Sequence, residues 1–253
     1  MSPNAYTELA LVQAAAMEVL AALDWPALSA ADESFGAGGM LARESEREVA
    51  LVSRLRAALV KLNPGTPAAA IEFAVDELLR DRVAMGSAAA NRDVHRLLTE
   101  GVKVTVKDKR TGAEEPRTVR VVDWERPREN DFLAVEQLAV QGPLYRCIPD
   151  VVLFVNGLPW VVIELKRPGV PVRQAFDENL TSYQHPQNGV PRLFAFNALL
   201  IASNGTDAKV GSLTADWDRF FEWKRVERED EPRRVSLEVL LRGTCEQGRL
   251  LDL

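Results

Sequence analysis

Two apolar runs joined by Asn156-Gly157 constrain this chain more than any other feature. Val151 to Val155 and Leu158 to Ile163 contain no charged side chain, and the second run closes with Glu164-Leu165-Lys166. Asn-Gly is a preferred two-residue hairpin turn because both positions tolerate positive φ. A hairpin with one wet face would alternate apolar and polar residues. One that is apolar on both faces belongs inside a covered sheet, not at its rim. The three charges of Asp150, Glu164 and Lys166 are therefore gathered at one end of a buried hairpin.

The rest of the chain supplies the cover. Leu9, Leu11, Val12, Ala16, Val19, Leu20 and Leu23 recur largely at three- and four-residue steps, which predicts an amphipathic helix over 7–23. Pro26 and the glycines at 36, 38 and 39 predict an exposed loop. Helical spacing returns over 46–62 and stops at Asn63-Pro64-Gly65. Thr66-Pro67 then opens a helix to about Arg82, and a short one covers 91–99 before Gly101. After Gly101 the period changes to two. Val102, Val104 and Val106 predict a strand, a turn follows at Arg110-Thr111-Gly112, and Val119, Val121 and Val122 predict its partner. Strands are also expected within 132–140 and 199–202, with a helix over 174–183 between them.

Composition narrows the function class. In 253 residues, 31 Lys and Arg face 37 Asp and Glu, a net charge of −6, so the whole surface is not a polyanion binder. Two cysteines, Cys147 and Cys245, allow no disulfide framework and no Cys/His zinc site. The apolar runs fall short of the ~18 residues that would span a bilayer, and the amino terminus has no signal-like start. A reducing, cytoplasmic location is expected. Of the two histidines, His95 is expected to be a hydrogen-bonded structural residue and His185 to end a helix. Lys103, Lys107, Lys109 and Arg110 read as protection for an edge strand.

The end of the hairpin has testable geometry. Opposed residues in an antiparallel pair have a constant sum of residue numbers. A two-residue loop gives 313 and puts Asp150 across from Ile163, on the wrong face to meet Glu164. A sum of 314 opposes Asp150 to Glu164. Pro159, which has no amide proton, favours irregularity near the turn. An odd-length loop or a bulge is therefore predicted, with Asp150 facing Glu164. Two carboxylates so placed, with the Leu165 carbonyl, make an all-oxygen site for a hard ion such as magnesium. Lys166, on the same face as Glu164, would position the water nucleophile or help to deprotonate it. Phosphodiester hydrolysis is the chemistry this set suits.

Pro149-Asp150 and Glu164-x-Lys166 around an apolar hairpin resemble the PD-(D/E)xK nuclease superfamily. More narrowly, Asn91-Arg92-Asp93-Val94-His95-Arg96-Leu97-Leu98, Asn130-Asp131-Phe132, Asp150 to Pro159, Leu193 to Leu200 and Val210-Gly211-Ser212-Leu213 resemble the amino-terminal nuclease region of the restriction (R) subunit of type I restriction-modification enzymes. The resemblance runs from about Thr7 to the end. It implies an α/β fold with a central mixed sheet flanked by helices, in which Asp150, Glu164 and Lys166 are catalytic. It also implies magnesium, with manganese as a substitute, and a double-stranded DNA substrate. The implied layout is a mostly helical part over 1–100, a nuclease core over 101–225, and a linker over 226–253 leading to a motor domain. Where the family often carries Gln-x-x-x-Tyr, this chain has Asn179 and Tyr183. Tyr183 is read either as a supporting site residue or as a half-buried core aromatic. On the first helix Glu8 is read either as an outer metal contact or as an acid favoured by the helix dipole, and Gln13 stands where a second acid is expected.

No Gly-x-x-x-x-Gly-Lys-Ser/Thr phosphate loop occurs, so ATP would act only through a motor outside this sequence, and a truncation is expected. Modification and specificity subunits are the implied partners. The alternative is a catalytically decayed module of the same fold that docks the motor to those subunits.

Overall fold

The structure, a computed structural model, is described for residues 3–107, 113–228, 230 and 234–253, with side chains from residue 9 onward. The turn at Arg110-Thr111-Gly112, Lys109, Glu229, Glu231, Arg233 and the side chain of Glu8 lie outside the described residues.

Helix α1 (Pro3–Ala21) is followed by Asp24, whose φ of 62° lets the chain fold back until the Trp25 amide donates to the Leu20 carbonyl at 3.1 Å. Strand β1 (Ala27–Ser29) comes next, parallel to a later strand, where a loop was expected. Three residues are too few to display a period of two, so only the partner strand reveals it. The loop that follows is largely exposed over 31–40, as its glycines predict, and is pinned at its two ends. Ala30, Leu41 and Arg43 are buried, and the Arg43 guanidinium donates to the carbonyls of Glu48 at 2.8 Å and Ala139 at 2.9 Å while pairing with Glu33.

The second helix, α2 (Val52–Leu62), starts six residues later than its spacing predicts. The intervening backbone is engaged elsewhere: Glu46 accepts from Gln141 N and Leu51 N donates to the Gly157 carbonyl, both at 2.8 Å. Helices α3 (Ala68–Leu79) and α4 (Ser87–Glu100) complete the helical part. Strands β2 (Val102–Lys107) and β3 (Glu114–Val119) form a separate antiparallel ribbon beside α3. Val121 and Val122 are buried but lie outside it.

Strands β4 (Phe132–Glu136), β5 (Val140–Gln141), β6 (Arg146–Cys147), β7 (Val151–Val155) and β8 (Leu158–Leu165) follow. A π-helical turn (Ala175–Leu180) runs into α5 (Thr181–Tyr183), and α6 (Pro191–Phe194) leads to β9 (Leu199–Ser203) and β10 (Ala208–Gly211). Helices α7 (Ser236–Thr244) and α8 (Gln247–Asp252) end the chain. The main sheet has the order β1-β4-β7-β8-β9-β10, with β1–β4 and β8–β9 parallel and the other pairs antiparallel. This is the mixed, helix-flanked sheet of the α/β expectation.

Every residue of β7 and β8 is buried, as a hairpin apolar on both faces requires. Helix α1 packs on β8 and on α7, and the π-helical turn packs on β8 and β9. The segment 226–253, expected as a linker with a helix over 236–241, carries α7 at that place and α8 after it, and their Leu237, Leu240, Leu241, Leu250 and Leu251 join the same core as β7 and β8. Cys147 and Cys245 are free and buried. Among the described residues no helix is long and apolar enough to cross a membrane.

Candidate functional site

The Asn156-Gly157 turn sets the hairpin. Both residues have positive φ, 50° and 76°, as the two-residue turn needs. Gly157 has a second constraint, since a Cβ there would lie 2.5 Å from the Leu51 carbonyl oxygen. Asn156 is fully buried and answers its own polarity: Nδ2 donates to the Val121 carbonyl at 2.8 Å, and Oδ1 accepts from Asp131 N at 2.7 Å.

From the turn the pairs are Val155 with Leu158 and Phe154 with Pro159, sum 313. Beyond Trp160 they become Leu153 with Val161 and Val151 with Ile163, sum 314. Trp160 is thus the extra residue of a bulge beside Pro159. Continued one pair further, the shifted register sets Asp150 across from Glu164, and alternation puts Lys166 on the same face.

Asp150 accepts from the Leu165 amide through Oδ2 at 2.7 Å, which also fixes the end of β8. Its Oδ1 accepts from Gln137 Nε2 at 3.3 Å. Glu164 is 2% exposed, and its Oε1 is buried with no hydrogen-bond partner. Lys166 is anchored by its amide, which donates to the Ser203 carbonyl on β9 at 2.8 Å. Its Nζ donates to Asn179 Oδ1 at 2.7 Å and lies 3.6 Å from Glu178 Oε2. Asn179 Nδ2 in turn donates to the Tyr183 hydroxyl at 3.2 Å. The shorter amide of Asn179 therefore reaches both Lys166 and Tyr183 from the π-helical turn. Such turns often occur at functional sites.

Electrostatics sharpen the picture. Burial, and then the facing Asp150, push the Glu164 carboxyl well above the usual carboxylate range. Burial likewise raises Asp150, opposed by the Leu165 amide. Tyr183, buried beside Glu164, is also held toward its protonated form, burial being the larger cause. Two acids that burial and mutual repulsion both penalise, one with an unanswered oxygen, form a site that a cation would relieve.

The donor set fits a hard divalent ion. No group of three or more His, Cys, Asp and Glu is placed to hold a metal among the described residues, so an ion would rest on two carboxylates, a backbone oxygen and water. Leu165 supplies that backbone at the end of β8, with its side chain in the core. A cavity of about 290 Å³ lined by Val49, Leu79 and Phe196 together with Arg47, Arg80 and Arg192 includes none of Asp150, Glu164 and Lys166, so the acid chemistry is not there.

Two glutamines behave differently from their sequence reading. Gln13, noted only as standing in place of an acid, donates to Glu136 Oε2 at 2.7 Å and accepts from Gln137 Nε2 at 3.1 Å. Gln137 escaped notice because it meets Asp150 only through the pairing of β4 with β7. Extending the register of Glu136 with Val151 by one pair would have found it.

Several stretches that carry the family resemblance turn out to build the frame. Asn91 Nδ2 donates to the Asn197 carbonyl at 2.7 Å, and Asp93 binds Arg82. Asn130 Oδ1 accepts from Asp123 N and Asn156 Nδ2, both at 2.9 Å. His95 is exposed, contrary to the structural role expected of it. His185 ends its helix by accepting from the amides of Gln187 and Asn188.

Known proteins agree with this frame. The family described as type I restriction enzyme R protein N terminus matches residues 5–219. The HindI type I restriction enzyme endonuclease subunit of Haemophilus influenzae is 35% identical over 222 residues, covering 85% of this chain and 20% of the relative. The putative MjaIXP endonuclease subunit of Methanocaldococcus jannaschii is 30% identical over 242 residues, covering 83% and 22%. The EcoprrI endonuclease subunit of Escherichia coli is 40% identical over a shorter stretch of 70 residues. The chain spans about a fifth of the length of the first two relatives. The match extends over most of the chain, including the hairpin and the acid pair it carries, and on that ground the chain belongs to the family of type I restriction enzyme R protein N termini.

Proposed function

We propose that this chain is the metal-dependent DNA endonuclease region of a type I restriction enzyme R subunit, with Asp150, Glu164 and Lys166 as its catalytic set. One observation carries the reading. Two buried carboxylates face each other at a strand end, one oxygen of Glu164 has no partner, and a lysine two residues on shares their face. The printed names of the relatives, each an endonuclease subunit, support it.

When bound, magnesium or manganese would supply Lewis-acid polarisation of water and of a phosphoryl oxygen. The chain's own groups do the rest. The Asp150 and Glu164 carboxylates would hold the ion, and the Leu165 carbonyl would add a third donor. Lys166, steered by Asn179, orients the attacking water and offsets charge on the phosphoryl oxygen. Tyr183 supports the site through Asn179. Double-stranded DNA is the substrate, modification and specificity subunits are the partners, and ATP acts through a translocase outside this chain.

Calorimetric titration of Mn²⁺ and Mg²⁺ into this chain and its Asp150→Ala variant tests the site. Binding lost in the variant is the expected result. Plasmid cleavage by the assembled enzyme tests the chemistry, and cleavage that persists in Lys166→Ala would overturn the assignment. A chain that binds neither ion yet still joins its partner subunits would favour the noncatalytic docking module.

A further inference from the structure

Gln137 follows β4 with a φ of 53°, one of four non-glycine residues in the left-handed region among those described. That conformation is strained for a residue with a Cβ and persists only where the surroundings hold it. Here they do. Its amide donates to the Asp150 carbonyl at 3.0 Å, and its Nε2 donates both to Asp150 Oδ1 at 3.3 Å and to Gln13 Oε1 at 3.1 Å. Gln13, on α1, donates through Nε2 to Glu136 Oε2 at 2.7 Å.

The orientation of both amides follows from chemistry. A carboxylate oxygen accepts, so Gln13 turns its NH₂ toward Glu136 and its oxygen toward Gln137. Gln137 must then present its own NH₂ group, which serves Gln13 and Asp150 together. The chain Glu136, Gln13, Gln137, Asp150 is satisfied in one direction only. It fixes Oδ1 of Asp150 from one side while the Leu165 amide fixes Oδ2 from the other. An acid at either glutamine would add charge next to a pair that already repels. A neutral amide orients Asp150 without that cost.

Resting on the reading that Asp150 and Glu164 hold a divalent cation, we propose that Gln137, locked by Gln13, is a positioning residue that presets the Asp150 carboxylate for that ion. Removing partners that orient a ligand typically weakens metal binding 10- to 100-fold. The test is Mn²⁺ titration by calorimetry into this chain as wild type, Asp150→Ala, Gln137→Gly and Gln13→Met, with thermal unfolding of each. Gln137→Gly keeps the left-handed backbone and loses the amide. It is expected to bind Mn²⁺ roughly 10-fold or more weakly while melting no lower than wild type, because the positive φ is relieved. A purely structural glutamine would show the reverse. Gln13→Met is expected to weaken binding in the same direction by less. Unchanged affinity in Gln137→Gly, with binding abolished in Asp150→Ala, overturns the positioning role and leaves the metal site standing. Should Gln137→Gly fail to fold, unchanged affinity in Gln13→Met overturns it equally. No binding by wild type, or binding that survives Asp150→Ala, overturns the metal site and the positioning role together.

Discussion

Two buried clusters of charge in this protein are built on opposite terms. Between α3 and α4, the Arg82 guanidinium is nearly inaccessible, yet every direction is answered: it donates to Asp93 Oδ2 at 2.8 Å and to the carbonyls of Glu77, Leu78 and Arg80 at 2.8 to 2.9 Å. Asp93 also takes Arg80 and Arg96, each at 3.1 Å, and its hydrogen bond from Arg82 holds its carboxyl below the usual range. At the end of the β7–β8 hairpin two acids face each other, both raised by burial, and Lys166 directs its Nζ to Asn179 and Glu178. Charge is buried in both places, but only the first cluster is neutralised from within. The second is left open at Glu164, where a cation from outside would complete it. A chain can carry one such uncompensated pair because the surrounding sheet is apolar, continuous and covered on both faces.

That contrast breaks most visibly at Lys166. In the assembled enzyme Lys166→Ala is expected to reduce DNA cleavage by roughly 10²- to 10⁴-fold, the scale of a lost proton-transfer or charge-stabilising group. The isolated chain should melt within a few degrees of wild type. A variant that cleaves normally but unfolds early would place Lys166 with the structural cluster instead.

The converse substitution is Arg82→Met. It leaves Asp93 short of its buried partner and three carbonyls unanswered, so a loss of about 3–4 kcal/mol in urea unfolding is expected. Mn²⁺ affinity should not move. If it falls in parallel with stability, the two clusters are not independent.

Glu164→Gln removes one of the two like charges and is expected to stabilise the metal-free chain by about 1–2 kcal/mol near pH 8, while abolishing Mn²⁺ binding. A destabilised variant would mean that the pair is already neutralised within the fold.

The smallest effect is in the pH profile. Glu164 has a folded value above its unfolded 4.5, so the native state binds the extra proton, and stability is lost as pH rises through that folded value. Asp93 behaves oppositely. Its contribution is present above the unfolded 3.8 and is lost as pH falls through the lower folded value. Without metal, lowering pH from about 8 to about 5 should therefore raise the melting temperature of wild type more than that of Glu164→Gln, in which only Asp150 is left raised. Superimposable profiles would remove Glu164 from the account.

Much of the site's frame was legible before any coordinates. Asn156-Gly157 named the turn, Pro159 the irregularity, and residue sums the face, since each depends on chemistry within a few residues. The bulge at Trp160 is the form that irregularity takes. The glycines after Pro26 marked an exposed loop because turn chemistry is local, but nothing local shows that Arg43 would tie the end of that loop to Ala139. Helix α2 starts late for a similar reason: upstream of it the Leu51 amide donates to Gly157 and the Glu46 carbonyl accepts from Gln141, both distant in sequence.

What the sequence by itself determined is the buried hairpin, its turn, the acid-acid-lysine spacing and the helical character of the first hundred residues. These rest on side-chain period and turn chemistry, which act over short windows. Tertiary structure alone decided that Ala27–Ser29 becomes a strand, that Asn179 meets Lys166 from a π-helical turn, that α7 and α8 enter the core, and that Gln137, held by Gln13, reaches Asp150. Each of these needs a partner far along the chain, and a hydrogen bond across such a distance leaves no periodic trace in the residues that make it.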